Sequence, residues 1–164
     1  MKILGIDPGF AIVGFGAIET SKGVSRMLTH GAITTKAHTP MTERLSTIFH
    51  ETGQLLDMLR PDAVAIEELF FNTNTTTAIE VAQARGVILL ACAERGLSIY
   101  EYTPLQVKQA VVGYGRAEKQ QVMEMTRVML KLDKIPKPDD AADALALALC
   151  HAANAGSLLS RIKG

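Results

Sequence analysis

Ile3-Leu4-Gly5-Ile6-Asp7-Pro8-Gly9 is the stretch on which the fold turns. Ile3 to Ile6 form a short strand, and Asp7-Pro8-Gly9 ends it in a turn, Pro fixing φ at the second position and Gly permitting a positive φ at the third. Ala11 to Thr20 and Val24 to Thr35 supply two further strands, joined across Ser21-Lys22-Gly23. Three consecutive strands with tight connections predict an antiparallel meander.

Downstream the period changes. From Leu45 the apolar positions Ile48, Phe49, Leu55, Leu56 and Leu59 recur in steps of three and four, the mark of an amphipathic helix that must stop before Pro61. Ala63 to Ile66 reads as a strand, Asn72 to Thr77 as a polar loop, and Ala78 to Glu94 as a long helical pattern interrupted by Gly86. Leu97 to Tyr102 is a fifth strand. Helices follow from Pro104 to Val112, from Glu118 to Leu130, and from Asp139 to Ala153, the last apolar on nearly every side and therefore buried against a sheet. The order predicts an α/β fold, a mixed sheet with helices on its faces.

The chain has 164 residues, 48% of them apolar, with 17 acidic and 17 basic side chains. That length fits a single domain spanning 1–164. The apolar run Val87 to Ala93, which no other exceeds, is far short of the ~20 residues of a membrane span, and Lys2 to Ile6 is too short for a secretory signal, so a cytoplasmic protein is expected. Cys92 and Cys150 lie apart in apolar stretches and read as buried thiols, not as a disulfide or zinc site. Net charge is zero, but 101–137 carry seven basic against four acidic residues, the one basic stretch.

Asp7 and Glu67 each end an apolar strand, and Asp140 and Asp143 open the apolar last helix. Singly, each has an ordinary reading: a turn, a sheet rim, or a helix cap and its partner near the positive end of the helix dipole. Together they are harder to dismiss, because strand carboxyl ends and helix N-termini tend to gather at one rim of an α/β sheet. Carboxylates clustered there repel unless a cation neutralises them, and oxygen ligands without Cys or paired His select Mg²⁺ or Mn²⁺. Two such ions ~4 Å apart serve phosphodiester cleavage. His30, His38, His50 and His151 show no ligand spacing.

These residues also carry a family resemblance. Gly5-Ile6-Asp7-Pro8-Gly9 with Gly14-x-Gly16, Ala65-Ile66-Glu67, Gln83-Ala84-Arg85-Gly86, Gln106-Val107-Lys108-Gln109, Ala117-Glu118-Lys119 and Asp140-Ala141-Ala142-Asp143-Ala144-Leu145-Ala146 resemble, in order and over about 140 residues, the RuvC-type Holliday junction resolvases. The resemblance implies a ribonuclease H-like fold with a mixed five-stranded sheet and helices on both faces. It also implies a homodimer, work beside a branch-migration complex, and paired symmetric nicks in four-way DNA junctions that leave 5'-phosphate and 3'-hydroxyl ends. By the same resemblance Asp7, Glu67, Asp140 and Asp143 are catalytic ligands of Mg²⁺, two ions per site, with Mn²⁺ able to substitute. Phe70 would stack on an unpaired base, or else pack beside Phe71, and Lys108 and Lys119 would sit near the scissile phosphates.

Two rivals are weaker. An actin-like ATPase shares the strand, aspartate and glycine hairpin, but needs two lobes and a Ser- or Thr-rich phosphate hairpin, which Gly9 to Gly14 do not supply. A junction-binding protein without activity would not need four carboxylates at one rim.

Overall fold

Alternation along the first strand sorts the interior into two layers. In the computed structural model, which describes residues 1–69 and 75–155, β1 (Lys2–Asp7) turns Ile3 to one side and Leu4 and Ile6 to the other, as a side-chain period of two requires. β1 pairs antiparallel with β2 (Ile12–Ser21), and β2 antiparallel with β3 (Val24–Thr34). On its other edge β1 pairs in parallel with β4 (Ala63–Glu67), which pairs in parallel with β5 (Ile99–Tyr102). The described strands run in the order β3-β2-β1-β4-β5, the expected mixed five-stranded sheet.

Helices cover both faces. α1 (Met41–Leu59) and α2 (Thr75–Ala93) bring Ile48, Leu56 and Ile88 against Leu4, Ile6, Val64 and Ile66. α3 (Pro104–Val112), α4 (Lys119–Met129) and α5 (Asp139–Asn154) bring Val107, Val122 and Leu145 against Ile3, Ile18 and Ala65. α1 begins at Met41, a turn before the apolar period at Leu45, because Met41 to Glu43 are exposed and carry no such signal. It ends in Arg60, whose left-handed backbone lets its N–H donate to the Leu56 carbonyl, directly before Pro61. α2 takes in the threonines before Ala78 and runs unbroken through Gly86, so the expected interruption is absent. An isolated Gly weakens a helix by ~1 kcal/mol without having to end it.

Close approach of α5 to the sheet positions the candidate site. A Cβ on Gly5 would overlap the Ala144 carbonyl, one on Gly14 the Asp140 backbone, and one on Gly16 the Leu145 side chain. Gly5 and Gly16 are cross-strand partners, and Gly14 stands opposite Asp7, so the three form one bare patch. The alanines of α5 are small enough to lie on it, and the helix is buried at Ala141, Ala142 and from Ala144 to His151. Its first turn thereby lands beside the end of β1.

The capping reading of Asp140 and Asp143 is corrected here. The N-cap of α5 is Pro138, with no side-chain cap hydrogen bond, and Asp139 and Asp140 both lie inside the first turn. Proline supplies no side-chain acceptor, and neither aspartate takes over that role.

Candidate active site

β1 and β4 pair in register at Ile6 and Ile66, so one residue further on Asp7 and Glu67 leave neighbouring parallel strands on the same face. That face is the one α5 covers. Asp143, the only half-exposed residue in the buried run from Ala141 to His151, joins them from above. The three carboxylates wall a cavity of about 250 Å³ whose other sides include Val107, Lys108, Lys119 and Leu147. Asp140 is not part of that wall. It sits over Gly14, which faces Asp7 across the β1–β2 pair, and its charge acts on Asp7 from there.

The electrostatics are those of an under-neutralised cluster. Burial, then the charges of Glu67, Asp143 and Asp140, push Asp7 from the ordinary 3.8 up to about 8, against the opposing pull of Lys119. Glu67 is raised by burial and by Asp143, and Asp143 by burial despite its hydrogen bond from Lys119. Asp139, one residue from Asp140, behaves in the opposite way: Lys137 Nζ lies 2.6 Å from its Oδ1 and holds it below the usual carboxylate range. Three raised carboxyl groups in one cavity repel each other wherever two are ionised together.

The cavity fits a hard cation by its donors, since every candidate ligand is a carboxylate oxygen. Among the described residues no three acidic, Cys or His groups close on a single point as the side chains stand. Lys119 Nζ is 2.8 Å from Asp143 Oδ2 and is, among the described residues, the cluster's one ion-paired ammonium. Lys119 is the first residue of α4, fixed there by the Gln121 side chain, whose Oε1 accepts from the Glu118 N–H at 2.8 Å, while the Gln121 N–H donates to the Glu118 carbonyl. Lys108 comes from α3, whose capping box joins Thr103 and Gln106. Two caps thus aim two lysines at one cavity.

Phe70 lies outside the described residues. His151 is buried, its Nδ1 2.7 Å from the Tyr102 hydroxyl and its ring beside Tyr100, and burial lowers its pKa. Cys92 and Cys150 are buried free thiols. Sequence reading missed the purpose of Gly5, Gly14 and Gly16. The signal was available: two glycines at i and i+2 on one strand bare a single face. Arg85 stands in one of the family strings but was given no role there; it pairs with Glu101 and lines a smaller recess next to Glu67 and Glu68.

Residues 3–151 match the family model described as crossover junction endodeoxyribonuclease RuvC. The chain belongs to the RuvC family. A RuvC crossover junction endodeoxyribonuclease from Desulfitobacterium hafniense is 58% identical over 164 residues, covering 100% of this chain and 99% of that protein. The solved structure of Thermus thermophilus RuvC in complex with Holliday junction substrate is 40% identical, covers 94% of each chain, and superposes with a TM-score of 0.90. A yeast mitochondrial Holliday junction resolvase, 14% identical over 90% of this chain and 77% of its own, has a TM-score of 0.61 and shares the fold. The ribonuclease H-like architecture expected from the sequence is therefore present, and RuvC membership makes this chain one of a family of metal-dependent endodeoxyribonucleases. No described helix is long and apolar enough to cross a membrane.

Proposed function

We propose that this chain resolves four-way DNA junctions in recombination and repair, nicking two strands of like polarity by phosphodiester hydrolysis and leaving 5'-phosphate and 3'-hydroxyl ends. The observation that carries the reading is the cavity shared by Asp7, Glu67 and Asp143 beneath two lysines, in a chain of the RuvC family. Asp7, Glu67, Asp140 and Asp143 are the groups to hold two Mg²⁺ ions, with Mn²⁺ as a substitute, because all are oxygen donors and their repulsion is what a dication relieves. Two such ions would supply an activated water and stabilise the leaving oxygen. The rest falls to the chain's own residues. Lys108 and Lys119, by family resemblance, neutralise phosphates near the scissile bond, and Val107 and Leu147 give the cavity an apolar wall that limits the water reaching it. Phe70, by family resemblance, stacks on an unpaired base at the crossover.

A junction with two-fold symmetry calls for two identical sites, hence a C2 homodimer. α2 offers the surface: Ile79 and Leu90 are more than half exposed, and a Cβ on Gly86 between them would meet nothing within 4 Å. A mid-helix glycine with open space over it leaves room for a second helix to come close. The whole chain then acts as one nuclease domain of a cytoplasmic protein that works beside a branch-migration complex. The test is a synthetic four-way junction and a linear duplex, each incubated with and without Mg²⁺. Paired symmetric nicks on the junction alone are expected, and no nicking under Mg²⁺ or Mn²⁺ would overturn the reading.

A further inference from the structure

Two groups compete for Asp143. The Lys119 ammonium reaches it at 2.8 Å, and the lysine side chain is otherwise 59% exposed, so its head is held by this ion pair while its main chain is locked by the α4 cap. Lys108 lines the same cavity but makes no ion pair among the described residues. The charge of Lys119 also reaches beyond its partner, acting on Asp7 and Glu67 as well as on Asp143. One ammonium against four carboxylates leaves the cluster negative. Two dications would cancel four negative charges and leave that ammonium in surplus, with a DNA phosphate as the next anion in reach.

Building on the metal-site reading above, we propose that Lys119 is an exchangeable counter-ion. It holds Asp143 in the metal-free enzyme, and a divalent cation must displace it from Asp143 before the carboxylates can converge. The lysine is thereby freed for a phosphate. Metal loading and DNA grip are then thermodynamically coupled through one side chain, and the coupling runs equally in both directions. It also gives a physical reason why, among the described residues, no three acidic groups converge while the pair is made.

The experiment is Mn²⁺ binding to the whole protein without DNA, read from the electron paramagnetic resonance of the free ion, in wild type, Lys119→Met and Lys108→Met. Lys119→Met should bind Mn²⁺ about fivefold more tightly, the scale of a half-exposed ion pair that no longer has to be broken. Lys108→Met removes the same charge from the same cavity without breaking a pair, and should change affinity by less than about twofold because solvent screens it. Equal tightening in both variants would reduce Lys119 to a diffuse positive charge, and unchanged affinity in Lys119→Met would leave it a DNA contact only. Either result overturns the exchange. Wild-type protein that binds no Mn²⁺ would overturn the metal-site reading itself, and the exchange with it.

Discussion

Asp57 and Asp7 show how differently two regions of this molecule treat a carboxylate. At the seam between α1 and the end of α2, Arg95 donates to both oxygens of Asp57, Nε at 2.7 Å and Nη2 at 2.9 Å, while its third nitrogen donates to the Ala91 carbonyl. The guanidinium holds Asp57 below the usual carboxylate range. At the rim under α5, Asp7 has three acidic neighbours and only a shared lysine, and it is pushed up to about 8. A carboxylate that serves stability is matched by its own fold. One left unmatched, half-buried among its like, costs stability in the absence of something else to bind, which is how functional sites are commonly marked.

The largest effects should come from breaking the rim. Asp7→Asn and Glu67→Gln should lower nicking of a synthetic junction at least a hundredfold, since even the partners behind a metal ligand are worth about 10–100-fold. Junction binding in metal-free buffer should persist in a gel-shift assay. Wild-type nicking by either variant would mean that the rim carboxylates are no more functional than Asp57.

Gly5→Ala attacks the same region through packing. Its Cβ must displace the α5 backbone, so denaturant titration should show a loss of roughly 1–3 kcal/mol or more. Gly86→Ala is the counterpart on α2, where the Cβ meets open space: the helix should gain up to ~1 kcal/mol, while analytical ultracentrifugation should show a weaker dimer. A tighter dimer would argue that α2 pairs elsewhere.

A smaller change is expected at Lys108. Lys108→Ala should flatten the salt dependence of junction binding by about 0.9 in log-log slope, the signature of one lost phosphate contact. An unchanged slope would confine Lys108 to the cavity wall.

The two regions should also separate by pH in metal-free protein. A raised pKa in the folded state means that Asp7 contributes most below its ordinary 3.8, and that contribution is lost as pH rises toward about 8. The lowered pKa of Asp57 works the other way, its contribution being present above the unfolded value and lost on acidification. The thermal midpoint should therefore decline between pH 4 and pH 8 through Asp7, and Asp7→Asn should flatten the decline. A slope that survives Asp7→Asn unchanged would place its origin elsewhere.

The smallest effects belong to matched surface charges. Asp139→Asn leaves the exposed Lys137 in water and should fold with near-normal stability, whereas Asp57→Asn breaks a bidentate pair and should lower stability modestly; both should nick junctions at near wild-type rates. An inactive Asp139→Asn would shift the α5 contribution to the rim by one residue.

Much of this was legible in one dimension. The meander, the strand beginning at Ala63 and the buried character of α5 follow from local periodicity, because alternation and three-to-four steps are properties of backbone geometry. The four acidic positions stood out because a carboxylate at the end of an apolar run is locally anomalous. Sequence could not say that Asp7, Glu67 and Asp143 share a cavity while Asp140 stands to one side over Gly14, nor that Lys119 reaches Asp143. Those facts depend on how closely one helix approaches one sheet, set by three glycines far from it in the chain. Nor could the first turn of α5 be told from a cap, since Asp at helical spacing serves either purpose until the true N-cap is seen to be Pro138. Local pattern fixed which groups were charged and at which strand ends they stood. Tertiary contact alone decided which of those charges were left without partners, because pairing depends on distances through space that the order of residues does not encode.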